Sequence, residues 1–195
     1  MTDRKMYLTG GIGSLPVIEG FGRDFELDPE VAYAETCAAL GSLFWNREMS
    51  ALTGEAKYSD LFEWQLYNAA LVGMGSDGKS YFYNNPLTAK GGIQRRPWYE
   101  VPCCPSNLSR TFARLGEAVV ILGPGEVRIE QYISSEHEFA ERDLSLSIES
   151  DFPYDGRITI SILKAPQKTF TLKCRQPSWA TEVLIKLNDQ PFDHI

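Results

Sequence analysis

The sequence predicts an α+β fold in which a helical first portion is followed by a portion of short antiparallel strands. Up to about residue 122, apolar residues recur three and four positions apart, which is the spacing of one helix face. After Gly123 the spacing changes to two, which is typical of strands with one buried face. We therefore predict two domains, residues 1–122 and residues 123–195.

Three helices are predicted in the first portion. Asp28 followed by Pro29 matches a helix N-cap with proline at the first helical position, so the first helix should run from there to a stop at Gly54. A second helix is expected over residues 56–72. A third should begin at Pro105 and continue to about residue 120.

Short strands are predicted in the second portion from alternating apolar residues. In chain order these are Val127, Ile129, Gln131 and Ile133, then Leu144, Leu146 and Ile148, then Ile158, Ile160 and Ile162, then Phe170 and Leu172, then Val183, Ile185 and Leu187. Turn residues such as Asp155 and Gly156 separate them, and this pattern favours an antiparallel sandwich or sheet.

Charge and hydropathy exclude several classes of function. The net charge of −7 argues against nucleic acid as a partner, because a phosphate backbone is bound by a basic face. No apolar run reaches the ~18 residues that a membrane-spanning helix needs. Residues 1–7 lack the apolar stretch of a secretory signal. We therefore expect a soluble protein in the cytoplasm.

The four cysteines are Cys37, Cys103, Cys104 and Cys174. Without a secretory context, a metal site or a reactive thiol is favoured over disulfides. Cys103 and Cys104 directly precede Pro105, so both should lie at the entrance of a helix, where free amide donors stabilise a thiolate. The alternative is a pair of small side chains buried in front of a helix. Cys174 should be a core residue of a strand.

Two carboxylates also draw attention. Glu35 falls in an apolar helical pattern, where a carboxylate needs compensation, and zinc bound with Cys37 would provide it. However, residues two apart point to opposite sides of a regular helix, so this turn would have to be irregular. The alternative is a glutamate paired with an arginine and a core cysteine. Glu19 follows the glycine-rich stretch 10–13 and, taken alone, is a solvated loop carboxylate.

Several short blocks, taken together and in order, carry a resemblance to a known family. They are Tyr7–Ser14, Glu19–Phe21, Ala32–Ala39, Phe44–Asn46, Leu66–Asn68, Tyr81–Leu87, Cys103–Asn107 and Gln176–Ala180. In this order they resemble the β-L-arabinofuranosidases of glycoside hydrolase family 127 and cover most of the chain.

The resemblance implies the C-terminal part of an (α/α) barrel followed by an antiparallel β-sandwich segment. It also implies a Zn²⁺ ion bound by one glutamate and three cysteines, with one of those cysteines as the nucleophile. The residues that match are Glu35, Cys37, Cys103 and Cys104 as zinc ligands, Cys103 as nucleophile, Glu19 as acid/base and Tyr83 as a substrate contact.

The chain departs from the family pattern in two ways. Residues 99–102 replace the glycine, cysteine and alanine that commonly precede the cysteine pair. The upstream barrel helices with their sugar-contacting histidines are absent, and His137 and His194 read as surface residues.

We therefore expect a partial retaining zinc-thiolate hydrolase that releases non-reducing-end β-L-arabinofuranose from an arabinose-containing oligosaccharide or glycoconjugate. Self-association or a second polypeptide would have to complete the barrel. The alternatives are a non-catalytic zinc- or carbohydrate-binding remnant and a structural interaction domain.

Overall fold

The computed structural model describes residues 1–193. Its first portion is helical, with α1 at Thr2–Lys5, α2 at Thr36–Thr53, α3 at Ala56–Gln65 and α4 at Cys103–Arg114. A π-helical turn at Leu66–Ala70 and a 3-10 turn at Leu71–Gly73 extend α3, and a 3-10 turn at Leu115–Ala118 extends α4. Among these described residues, no helix is both long and apolar enough to cross a membrane.

The first predicted helix starts too early in the sequence-based interpretation. Residues 28–35 are irregular and α2 begins only at Thr36; Asp28 Oδ1 instead accepts hydrogen bonds from the Glu30 and Val31 amides. The backbone of Ala34 has a positive φ of 35° and bonds to the Gly13 carbonyl. Pairing with distant segments has therefore overridden the local N-cap signal.

The other two predicted helices are present. The second spans α3 and its two extensions, and it ends at Gly73, one residue beyond the predicted end. The third begins at Cys103 rather than at Pro105, so the proline is the third helical residue. Proline is tolerated there because the first amides of a helix have no intrahelical acceptor.

The second portion consists of strands, as predicted. In chain order they are β1 Val120–Gly123, β2 Glu126–Ile129, β3 Ser135–Phe139, β4 Leu144–Ser150, β5 Ile158–Lys164, β6 Thr171–Cys174, β7 Lys186–Leu187 and β8 Gln190–Pro191. They form sheets of order β1-β2-β6, β3-β4-β5 and β7-β8. The α+β class is therefore confirmed.

The expected antiparallel pattern holds for β3-β4-β5 but not for the first sheet, in which β2 and β6 run parallel. Strand β6 returns to β2 after the whole β3–β5 excursion, and such a long crossover permits parallel pairing. Two strands are also shorter than predicted, because β2 ends at Ile129 and β7 contains only two residues.

Two hydrophobic clusters lie side by side. Cluster one draws on both three-stranded sheets, with Val127 and Ile129 from β2 packed with Leu144, Leu146 and Ile148 from β4. Cluster two lies between the helices and contains Leu40, Leu43, Phe62, Leu66, Ala70, Leu108 and Ala118. Ile133 packs against both clusters, so the helical and β portions share an apolar boundary.

Buried polar contacts join the same two portions. Arg175, at the end of β6, binds Asp60 and Glu63 of α3, and its Nε donates to the Glu130 carbonyl at 2.6 Å. The Arg175 side chain is only 1% exposed. This network fixes the sheet to the helix that packs against α2.

Candidate metal and nucleophile site

The structure brings four of the predicted site residues together. The ligand atoms of Glu35, Cys37, Cys103 and Cys104 all lie within 4.8 Å of one another. Cys104 is fully buried, whereas the other three are half-buried. The cluster therefore faces solvent on one side, where a substrate could approach Cys103.

The local backbone explains how Glu35 and Cys37 reach one point. Glu35 is the N-cap residue of α2 with extended φ and ψ of −64° and 137°, and it forms a bridge with Asn84. Because it lies outside the helix, the rule that places residues two apart on opposite sides does not apply. Cys37 lies in the first turn of α2, and Cys103 and Cys104 occupy the first turn of α4.

The distances in the cluster suit a zinc ion. The sulfur–sulfur separations are 3.4 Å for Cys37–Cys104 and 3.8 Å for Cys103–Cys104. Oε1 of Glu35 lies 3.7 Å from the Cys103 sulfur and 3.9 Å from the Cys104 sulfur. Tetrahedral zinc with Zn–S near 2.3 Å requires sulfur–sulfur distances of ~3.8 Å and sulfur–oxygen distances of ~3.6 Å. The donor set therefore fits zinc in type, number and spacing.

The three thiols differ in acidity. Hydrogen bonding to Cys104 and to the Asn107 amide lowers the pKa of Cys37 to about 7. The hydrogen bond to Cys37, together with burial, raises the pKa of Cys104, and burial raises the pKa of Cys103. In the metal-free chain the negative charge therefore resides on Cys37. The helix entrance does not by itself make Cys103 or Cys104 acidic, contrary to the expectation from sequence.

Tyr83 lies beside this cluster. A hydrogen bond with Cys103, followed by burial, raises the pKa of its phenol. Its carbonyl accepts from the Thr36 amide at 3.0 Å, and its amide donates to the Tyr99 hydroxyl at 3.1 Å. The Tyr99 ring meets Tyr83 edge-on at 5.6 Å. These contacts tie Tyr83 to the start of α2 and hold it at the edge of the cluster.

An open groove of about 590 Å³ adjoins Tyr83 on the side away from α2. It is lined by aromatic, amide and guanidinium groups, among them Phe82, Asn84, Gln94, Arg95, Arg96 and Tyr99. The combination of flat rings and hydrogen-bonding side chains is the chemistry that a carbohydrate contacts.

Glu19 does not join the four-residue cluster. It is exposed in the turn that the Leu15–Gly20 bridge closes, with a positive φ of 49°. Its carboxylate comes near the buried hydroxyl of Tyr33, whose pKa is raised by burial and further by Glu35 and Glu19. No hydrogen bond joins the Tyr33 hydroxyl to any described residue. Tyr33 therefore stands between Glu19 and Tyr83, whose ring is 6.3 Å away.

Sequence reasoning missed two residues that the site uses. Nδ2 of Asn107 donates to the Cys37 sulfur at 3.1 Å, and Tyr33 places its buried phenol beside Tyr83. Both belong to blocks that carry the family resemblance, so a signal was present without an assigned role. Two minor predictions were wrong, since Cys174 is exposed on β6 and His137 is half-buried on β3. His194 lies outside the described residues.

Comparison with protein families matches the chain twice. The β-L-arabinofuranosidase GH127 catalytic domain matches residues 1–117, and the GH127 middle domain matches residues 126–194. The first match alone covers more than half of the chain. The division at residue 122 stays a prediction.

Known proteins give the same result. A non-reducing end β-L-arabinofuranosidase of Bifidobacterium longum subsp. longum is 32% identical over 92% of this chain and 30% of its own length. The GH127 β-arabinofuranosidase BT3674 superposes with a TM-score of 0.88 at 34% identity, covering 97% of this chain and 33% of that one.

The GH127 β-L-arabinofuranosidase Ara127N-Se of Geobacillus stearothermophilus superposes with a TM-score of 0.89 at 34% identity. It matches 98% of this chain but only 32% of its own. The chain thus spans about a third of the length of these relatives. With its two domain matches and these close superpositions, the chain belongs to the GH127 β-L-arabinofuranosidase family.

Proposed function

We propose that this chain carries the metal-binding and nucleophile-bearing wall of a retaining β-L-arabinofuranosidase. The observation that supports this most directly is the convergence of three sulfurs and one carboxylate from two distant stretches of a GH127 chain. In this proposal Glu35, Cys37, Cys103 and Cys104 hold Zn²⁺. When bound, zinc would keep the thiols ionised at neutral pH.

Cys103 is assigned as the nucleophile because it is half-buried at the open side and contacts Tyr83. Its sulfur attacks the anomeric carbon, and a C–S bond forms as the glycosidic C–O bond breaks. Glu19 gives a proton to the departing oxygen. It then takes one from the water that displaces the sulfur, so the sugar leaves with retained configuration.

Tyr83 is assigned to orient the sugar against Cys103. Its backbone is held by Thr36 and Tyr99, so the phenol is fixed before a ligand arrives. The adjoining groove would receive the remainder of an arabinose-containing oligosaccharide or glycoconjugate. We place the protein in the cytoplasm in this proposal, because a reducing compartment keeps its four free cysteines available.

The exposed position of Glu19 bears on whether this chain turns over substrate alone. Nothing within the described residues packs over that carboxylate, so the acid/base side is open. We propose that a second polypeptide, or a second copy of the chain, supplies the remaining walls. The isolated chain should therefore hydrolyse p-nitrophenyl β-L-arabinofuranoside at or below detection.

The test mixes the zinc-loaded chain with a polypeptide that carries the rest of a GH127 catalytic domain. We expect p-nitrophenol release from the mixture and none with Cys103→Ser. With Glu19→Gln, water attack slows, so mass spectrometry should find an arabinofuranosyl group on the Cys103 peptide. A mixture that releases p-nitrophenol equally well with Cys103→Ser would refute the nucleophile. A zinc-bound complex that stays inactive would favour the non-catalytic remnant.

A further inference from the structure

The three sulfurs of the cluster have different surroundings. Nδ2 of Asn107 donates a 3.1 Å hydrogen bond to the Cys37 sulfur, which also lies 3.4 Å from Cys104. Cys104 is fully buried and touches Cys37, Cys103 and Glu35. Among the described residues, no amide reaches the Cys103 sulfur, whose neighbours are Glu35, Cys104 and Tyr83. Only one of the three thiols therefore has an amide donor.

Helix α4 fixes the position of that donor. Asn107 lies four residues after Cys103, so it is on the same face of α4 and one turn further along. Its carbonyl accepts from the Thr111 hydroxyl at 2.8 Å, and the next residue, Leu108, is buried in the helical cluster. The side chain thus bridges from α4 to Cys37 on α2 from a rigid base.

An amide hydrogen bond has two consequences for a coordinated thiolate. It fixes the side-chain rotamer, so the sulfur stays where the metal requires it. It also withdraws electron density from sulfur and makes that thiolate a poorer nucleophile. Cys37 should therefore be a permanent ligand, whereas Cys103 keeps its electron density and is free to react.

We propose that Asn107 is a positioning residue that reserves Cys37 as a metal ligand and so leaves Cys103 as the sulfur that reacts. The inference rests on the proposed zinc site but not on glycoside hydrolysis. It accounts for how a cluster with three chemically identical thiols assigns a different task to one of them.

The test replaces the amide and reads out both metal binding and thiol selectivity. Asn107→Leu keeps the size of the side chain and removes the donor, and Asn107→Asp keeps the shape and replaces the donor with an acceptor. Asn68→Leu is the matched control, because Asn68 is exposed and bonds only to the Trp64 carbonyl of its own helical segment. Circular dichroism of each metal-free chain verifies folding.

Zinc affinity is measured by competition with a chromogenic chelator. Both Asn107 variants should bind zinc ~10–100-fold more weakly than the wild-type chain, as is usual when a partner of a metal ligand is removed. Asn68→Leu should match the wild type.

Thiol selectivity is measured by iodoacetamide labelling of the zinc-loaded chains, with peptide mass spectrometry to assign each site. The wild-type chain should label first at Cys103 and leave Cys37 protected. Both Asn107 variants should label Cys37 at a rate similar to that of Cys103. A merely structural role would loosen all three thiols together and would not move this ratio.

The outcomes separate this inference from the proposed function. Asn107 variants that bind zinc within about two-fold of the control, with Cys37 still protected, would overturn the role of Asn107 and leave the zinc site standing. A wild-type chain that binds no zinc would overturn both. Loss of hydrolysis in the mixed complex with an intact Cys37–Cys103 labelling difference would overturn the proposed function alone.

Discussion

Arg175→Met would remove the polar link between the β portion and α3 and leave the apolar boundary in place. Arg175 neutralises Asp60 and Glu63, and its side chain is 1% exposed, against 17% and 9% for the two carboxylates. Its Nε also donates to the Glu130 carbonyl. Methionine fills a similar volume but satisfies none of these groups. The variant therefore leaves two poorly solvated carboxylates facing each other.

The size of the effect follows from this geometry. Removing one partner of a buried ion pair costs about 3–5 kcal/mol, because the remaining charge is left without compensation. Asp60 still accepts from the Ser178 amide and Glu63 from the Trp179 indole, at 3.2 Å and 3.1 Å, which favours the lower part of that range. For a chain of this length the loss corresponds to a fall in melting temperature of roughly 6–20 °C.

Thermal denaturation followed by circular dichroism measures this loss, and urea denaturation gives the free energy of unfolding independently. Arg114→Met is the matched control, since Arg114 pairs with Glu117 on the surface and both side chains are about half exposed, at 49% and 47%. Its melting temperature should equal that of the wild type within error. If Arg175→Met melts with the control, the buried network does not join the two portions.

Two further predictions concern packing and pH. A Cβ at Gly73 would come within 2.6 Å of the Thr36 side chain, so Gly73→Ala should cost about 1–3 kcal/mol in urea denaturation. Gly41→Ala, which meets no atom within 4 Å inside α2, should stabilise by about 0.5–1 kcal/mol; equal effects of the two would contradict the packing. Burial lowers the pKa of His137 below 6.5, so the unfolded chain takes up that proton first and stability should fall as the pH drops below 6.5. His137→Gln should flatten this dependence, and an unchanged slope would show that other groups cause it.

Sequence periodicity predicted the elements whose packing is local. The second helix and strands β4 and β5 lie where the apolar spacing places them, and Leu144, Leu146 and Ile148 are buried as alternation requires. In these elements the residues that set the pattern are also those that fill the nearest core. Local pattern and tertiary packing therefore agree.

The start of α2 could not be predicted in this way. Asp28 and Pro29 carry an N-cap signal, but the Ala34 amide bonds to Gly13 and the Thr36 amide to Tyr83, nearly fifty residues away. The same contacts hold Glu35 outside the helix, so the missed boundary and the apparent geometric objection to the metal site had one cause. Composition and spacing contain no signal for such a pairing.

The metal cluster was accessible from sequence only through ordered motifs. Spacing identifies Cys103 and Cys104 as neighbours but says nothing about Cys37, which is joined to them by the packing of α2 on α4. The Asn107 bond to Cys37 is equally invisible, because it depends on the relative rotation of two helices.

Metal analysis of the reduced, purified chain tests the central claim most directly. If Glu35, Cys37, Cys103 and Cys104 bind one ion together, inductively coupled plasma mass spectrometry should find one zinc per wild-type chain and almost none in Cys37→Ser or Cys104→Ser. A folded wild-type chain without zinc, or a Cys37→Ser chain that retains it in full, would contradict the account.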